Sequence, residues 1–190
     1  MPRLPHRRLF FAIDVPEYVQ EALLRLYIDQ KNWQWVRPEN MHLTLKFLGA
    51  TPGELAEEVI ERMAGVAGRA FMLPVEEVGV FPSVQRPQVV WAGLGGGHPE
   101  LFGLQKRIED ACFALGIQPE KRRYSPHLTL ARVSQASPES VRQFVKAQRE
   151  FSAPPFRVEA FHLYRSELQD HHRVYIKEAT WLLHDERAEA

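Results

Sequence analysis

The tetrapeptide His-Leu-Thr-Leu occurs at 42–45 and again at 127–130 of the 190-residue chain, 85 positions apart. Composition alone gives about 0.002 chance copies of such a string. The two copies hold Thr44 and Thr129, two of the four threonines in the chain. In an extended strand residues i and i+2 share a face, so each motif presents an imidazole beside a hydroxyl while its two leucines anchor the other face in a core. Imidazole has an ordinary pKa of about 6.5 and gives or takes a proton near neutral pH. Two of them, His42 and His127, on opposite sides of one small group supply a general acid and a general base, each worth about 10²- to 10⁴-fold. The hydroxyls of Thr44 and Thr129 are suited to donate hydrogen bonds to the non-bridging oxygens of a phosphoryl group. The set fits a metal-free opening of a phosphodiester.

Such a cleft needs a scaffold that delivers both motifs to one place, and the rest of the sequence reads as that scaffold. Four segments carry helical apolar spacing, each opening on a proline (Pro16, Pro52, Pro99, Pro138) at the first helical position, where the missing N–H costs nothing. Thr51 and Glu54 have capping-box spacing, Ser137 is placed to cap the fourth helix, and Gly116 to stop the third. Between them lie segments rich in β-branched and aromatic residues: RLFFAI, HLTLKFL, 71–81, QVVWAGL, HLTLARV, FRVEAFHLY and RVYIKEATWLL. The order strand, helix, motif strand, helix, strand, strand runs once from residue 8 to about 94 and restarts near residue 88 to end near 183. Pro16 to His42 is 26 residues and Pro99 to His127 is 28; His42 to Pro52 is 10 and His127 to Pro138 is 11. We read one bilobal domain over 1–190 with an internal repeat. Gly95, Gly96 and Gly97 lack the Lys-Ser/Thr of a phosphate loop and read as a connector.

Composition bounds the rest. The chain is 45% apolar and 25% charged, with 24 Lys plus Arg against 24 Asp plus Glu, the balance of a soluble globular protein. Zero net charge argues against broad adhesion to nucleic acid, which needs excess cations, and leaves recognition of a single phosphate open. Cys112 is the lone cysteine, so no internal disulfide forms. One thiol and an opening RLFFAI too short for a membrane span or secretory core predict a cytoplasmic, non-membrane protein, expected to be a monomer.

The opening RLFFAIDVP, the motifs NMHLTLKFLG and SPHLTLARV and the central VVWAGL resemble, over nearly the whole chain, the 2H phosphoesterase superfamily. Within it they resemble the bacterial and archaeal RNA 2′,3′-cyclic phosphodiesterases once called 2′-5′ RNA ligases. The resemblance implies an α+β fold of two pseudo-symmetric lobes, each an antiparallel sheet with outer helices, and an active-site cleft between them. It implies a substrate of RNA with 2′,3′-cyclic phosphate ends, or cyclic nucleotides, hydrolysed to 2′-phosphomonoesters without a cofactor. By motif, His42 is the general acid on O3′, His127 the general base on water, and Thr44 and Thr129 hold the phosphate oxygens; the sequence itself does not assign the two directions. The same machinery run backwards joins a cyclic end to a 5′-hydroxyl.

Further residues are candidates for substrate contact. Lys46, four beyond His42, falls on the motif face by strict alternation and is a candidate for the phosphate charge. Arg132, five beyond His127, is turned away by the same rule, but it matches a basic position that follows the second motif in similar proteins, so a bulge is expected to re-aim it. Phe11, with Phe10 beside it, is a candidate for stacking on the terminal base, and Ser166 follows a strand of the second half that reaches toward the cleft. Trp33, Trp35 and Tyr124 flank the motifs, either as base pocket or as packing. The remaining six histidines, among them His162 and His171, read as exposed. Zinc on the two motif histidines lacks a nearby Cys or acidic partner, so no metal is expected. Two alternatives stay open: a non-catalytic module gripping RNA ends or cyclic nucleotides, and a related enzyme on another cyclic phosphate or a 2′,5′ linkage.

Overall fold

The computed structural model describes residues 5–94, 98–170 and 172–185. The predicted Gly95–Gly97 connector and His171 lie outside them. In chain order the elements are β1 (Arg7–Asp14), α1 (Glu17–Leu24), β2 (Trp33–Trp35), a 3₁₀ turn (Pro38–Asn40), β3 (His42–Thr51), α2 (Gly53–Met63) and β4 (Phe71–Ser83). Then follow β5 (Arg86–Gly93), α3 (Pro99–Phe113), β6 (His127–Val133), α4 (Pro138–Ala147), β7 (Ser152–Val158), β8 (Ala160–Gln169) and β9 (His172–Leu182).

The helices begin where the prolines predict, with differences at the caps. Pro99 and Pro138 open α3 and α4 as first residues, whereas Pro16 and Pro52 stand one position earlier, as N-caps of α1 and α2. Ser137 Oγ accepts the Ser140 N–H at 3.1 Å and caps α4. The expected capping box at α2 is not made: Thr51 Oγ1 donates instead to the Gly49 carbonyl at 3.3 Å. Gly116 adopts φ +81° just past α3, the left-handed stop that glycine takes without strain.

The fold is α+β, with the strands bonded in the order β7-β4-β5-β6-β3-β1-β8-β9 and β2 added along β6. The named strand pairs are all antiparallel. The sheet has two halves of matching order, β3-β1-β8-β9 and β6-β5-β4-β7, joined at a single pair, Leu43 opposite Leu128. The first half combines strands from the two ends of the chain, because β8 and β9 return to β1, and the second is built from the middle, with β4 beside β5 and β7. FRVEAFHLY, read as one strand, breaks at Glu159 into β7 and β8, which go to opposite sides of the sheet.

One core runs through both halves. Leu43, Leu45, Leu128 and Leu130 pack there with the apolar stripes of the helices, including Val19 and Leu23, Val59 and Met63, Leu104 and Ile108, and Val141 and Phe144. At about 25 cal/mol per Å² of buried apolar surface, this burial holds the motif strands in register.

Each motif strand also carries a bulge at the same place. Against β1 the partners run Ala12 to Thr44 and then Phe11 to Lys46, leaving Leu45 as the extra residue. Against β5 they run Trp91 to Thr129 and then Val90 to Ala131, leaving Leu130 extra. Both residues of each step, Leu45 with Lys46 and Leu130 with Ala131, are buried. Beyond the bulge the alternation restarts one residue late, which brings Phe47 and Arg132 onto the face of the histidines.

Candidate active site

The Leu43–Leu128 pair fixes the geometry of the motifs. Both leucines are buried, so their neighbours project from the other face, with His42 beside Thr129 and Thr44 beside His127. His42 and His127 are then diagonal neighbours, a relation that in an antiparallel pair sets residues roughly 7–8 Å apart, within reach of one another across a small bound group. Two imidazoles and two hydroxyls therefore occupy opposite corners of a square at the seam between the half-sheets.

Each imidazole is held by the same bond. His42 Nδ1 lies 2.8 Å from the Asn40 carbonyl, and His127 Nδ1 lies 2.9 Å from the Ser125 carbonyl, two residues upstream in both cases. A carbonyl only accepts, so Nδ1 carries the hydrogen in both rings and Nε2 is the atom left to exchange protons. Aromatic rings set the planes: Phe10 lies 4.9 Å and Tyr175 5.1 Å from His42, and Phe81 5.0 Å edge-on from His127.

Burial pushes both imidazoles below their ordinary pKa, against the carbonyl bonds that favour the charged form. The Arg132 guanidinium lowers both further, and His127 lowers His42, while the Asp14 carboxylate acts on His42 in the opposite sense. Arg132 thus makes itself felt at both rings, as its place beyond the bulge requires.

A cavity of about 170 Å³ opens beside His42, lined among others by Phe10, Asp14, Gln20, Glu39, Tyr164 and Tyr175. Asp14 Oδ1 accepts from the Tyr164 hydroxyl, and Asp14 Oδ2 accepts from Lys177 Nζ at 2.8 Å. Burial raises the Asp14 carboxyl, but the bonds from Lys177 and Tyr164 and the nearby cations outweigh it and hold the group below the usual carboxylate range. Burial and Asp14 together keep the Tyr164 phenol protonated, as a donor.

Several expected contacts lie elsewhere. Lys46 does not share the face of His42, because the Leu45 bulge turns it inward; it is 2% exposed, and its Nζ donates to Glu109 Oε1 at 2.9 Å and to the Gln118 carbonyl at 3.3 Å. Phe11 is fully buried against Phe161 and Trp181 and offers no face to a base. Phe10 is on the motif face but only 3% exposed, so it backs His42. Ser166 Oγ accepts from Arg173 Nη1 at 3.1 Å, opposite Tyr175 in the β8–β9 ladder.

Trp33 and Trp35 pack on Phe144, and the Tyr124 hydroxyl donates to the Thr44 carbonyl at 3.0 Å, bracing the first motif from behind. His162, read as exposed, is 7% exposed and bonded to Thr180 Oγ1 at 2.9 Å. Asp14, Tyr164, Tyr175 and Phe81 also stand at the site, outside the expected set. For Asp14 a signal existed, since it is the acid that closes RLFFAID; for the three aromatics, β8, β9 and β4 carry nothing that says which strands they will neighbour.

Among the described residues no three His, Cys, Asp or Glu side chains converge as a metal ion would need, and no described helix is long and apolar enough to cross a membrane.

The sequence matches the family model of the LigT-like phosphoesterases twice, over residues 13–91 and 96–175. It is similar to the RNA 2′,3′-cyclic phosphodiesterase of Archaeoglobus fulgidus, 32% identical over 171 residues that span 88% of this chain and 96% of that one. The RNA 2′,3′-cyclic phosphodiesterase of Aeropyrum pernix is 40% identical over 101 residues, spanning 53% of this chain and 57% of that one. Among solved structures, a Thermus thermophilus protein superposes with a TM-score of 0.77 at 27% identity, covering 95% of this chain and all (100%) of that one. E. coli LigT complexed with 3′-AMP superposes with a TM-score of 0.76 at 25% identity, covering 94% of this chain and 98% of that one.

Proposed function

The chain belongs to the LigT-like phosphoesterases of the 2H superfamily, and from that premise we propose that it is an RNA 2′,3′-cyclic phosphodiesterase, opening the cyclic ester to a 2′-phosphomonoester by histidine acid–base chemistry. Water attacks phosphorus in line with the departing O3′. His127 Nε2 takes the proton of the attacking water, and His42 Nε2–H delivers one to O3′ as its bond to phosphorus breaks. The products are a 2′-phosphate and a free 3′-hydroxyl, and each ring ends in the protonation state the other began with. Thr44 and Thr129 donate to the non-bridging oxygens as charge builds on them. Arg132, on the same face, offsets the phosphate charge.

The observation that carries this reading is the matched pair of imidazoles, each fixed through Nδ1 so that Nε2 is free, set diagonally across one seam. Simple binding has no need of two titratable groups so arranged. A 5′-hydroxyl in the place of water would yield a 2′,5′ bond by the same transfers, and in excess water hydrolysis dominates.

The experiment is turnover of 2′,3′-cyclic AMP by wild type, His42→Ala and His127→Ala, with products identified by phosphorus NMR. Each variant is expected to lose at least about 10²-fold in kcat and the wild type to release 2′-AMP alone. Wild-type rates in either variant remove that residue from the mechanism, and binding without product in the wild type leaves only a gripping cleft.

A further inference from the structure

The two half-sheets differ at the reacting face by one acidic residue. β1 sets Asp14 directly opposite His42, and at the matching place β5 sets Gly93 directly opposite His127. A side chain at Gly93 has no room, since its Cβ would stand 2.8 Å from the Glu76 carbonyl oxygen. One imidazole therefore has a carboxylate for a cross-strand neighbour, and the other has none.

That carboxylate is firmly placed. Tyr164 donates to Oδ1, Lys177 Nζ donates to Oδ2 at 2.8 Å, and His162 Nε2 stands 3.4 Å from Oδ2 with its other nitrogen bonded to Thr180. Cross-strand neighbours have Cβ atoms about 4.5–5.5 Å apart, the range in which an opposite charge favours the protonated imidazole. Asp14 also lines the cavity that His42 faces.

Resting on the phosphodiesterase reading, we propose that Asp14 is a positioning residue that sets the direction of proton transfer. Its carboxylate keeps the proton on His42, which becomes the donor to O3′, and the bare backbone at Gly93 leaves His127 as the acceptor. The sequence motifs, being identical, do not make this distinction.

The other groups around His42 are Glu39 from the 3₁₀ turn, His162 and Tyr164 from β8, Tyr175 and Lys177 from β9, and His127 and Arg132 from β6. Glu39 adds to Asp14 in sign, whereas Lys177, Arg132 and His127 oppose it. Among the charged neighbours Asp14 acts most strongly on His42, and it does not figure among the causes at His127. Asp14 is half-exposed, so solvent trims the effect.

The test is a proton NMR titration of the two imidazole Cε1–H resonances in wild type, Asp14→Asn and Lys177→Met, alongside the pH profile of kcat/KM on 2′,3′-cyclic AMP. In Asp14→Asn the His42 midpoint falls while that of His127 stays. The alkaline limb of kcat/KM then moves to lower pH, with a loss of roughly three- to tenfold on that side, and the acid limb does not move. Lys177→Met, which removes the opposing cation, moves the His42 midpoint up, so the idea stays testable if Asp14→Asn fails to fold. Asp14→Glu restores part of the alkaline limb.

Equal movement of both histidines, no movement of either, or a rate loss uniform across pH overturns the proposal. If the wild type turns over no cyclic nucleotide, the phosphodiesterase reading fails by itself, and the titration still decides whether Asp14 distinguishes the two rings.

Discussion

Lys46→Ala takes away a cation that has no contact with solvent to speak of and leaves its partner behind. The Lys46 side chain is 1% exposed and that of Glu109 14%, so the pair sits where breaking it costs about 3–5 kcal/mol, because an unpaired charge remains buried. Glu109 keeps two donors, the Glu120 N–H at 2.9 Å and Gln105 Nε2 at 3.4 Å, which places the expected loss at the lower end, about 3 kcal/mol. For a chain of this size that lowers Tm by roughly 6–12 °C, and in urea it moves the midpoint with the slope unchanged.

The double variant Lys46→Met with Glu109→Gln removes both charges and keeps an acceptor for Glu120, so it recovers to within about 1 kcal/mol of wild type. At 25 °C the folded Lys46→Ala enzyme keeps its KM for 2′,3′-cyclic AMP, because the lysine is on the core side of the sheet. A variant with wild-type Tm and a KM raised tenfold refutes this placement and returns Lys46 to the phosphate.

Since burial depresses both His42 and His127, the base loses activity below its lowered pKa and the acid loses activity above its own. Both limbs of kcat/KM, which reports the free enzyme, then have midpoints below about 6.5; stopped assays from pH 4 to 9 check it, and a bell centred above 7 contradicts it. In the complex the phosphate anion favours imidazolium, so kcat peaks at higher pH than kcat/KM. The same depression makes stability pH-dependent: the share contributed by the neutral rings is whole above about pH 6.5 and is lost as pH falls through the lower folded values. Arg132→Ala removes the cation beyond the second bulge and raises KM by roughly tenfold with a smaller change in kcat, read from initial rates at low salt and weakening as salt screens the contact.

How far the sequence carries can be seen in β3. From His42 to Leu45 the strand alternates without fault, so the faces of His42, Thr44 and the leucines follow from periodicity alone. The next residue breaks the rule, and neither LTLKF nor LTLAR contains a glycine or proline to warn of it. The bulge is set by how β1 and β5 pair with the motif strands, a tertiary fact, and it moves Lys46 off the site face while bringing Arg132 onto it. Phe11 was illegible for another reason. Leu9, Phe10, Phe11, Ala12 and Ile13 are all buried, so β1 has no polar–apolar alternation from which to tell Phe10 from Phe11. Trp33–Trp35 is only three residues long and is a strand solely because β6 lies beside it.

The recurrence of the motif gives the site its symmetry, and the exchange of strands between the half-sheets holds that symmetry in place. With β4 in one half-sheet and β8 and β9 in the other, neither copy of the motif rests on a unit made from its own half of the chain. Parting the chain between β4 and β5 would strip β4 from β5 and β8 from β1, antiparallel ladders of seven and four registered pairs. The diagonal between the imidazoles is thus backed by ladders far larger than the seam itself, which is how one registered pair of leucines suffices to position the two rings. A symmetric frame cannot choose which ring gives and which takes, so the choice falls to the flanking strands, where β1 ends in Asp14 and β5 in Gly93.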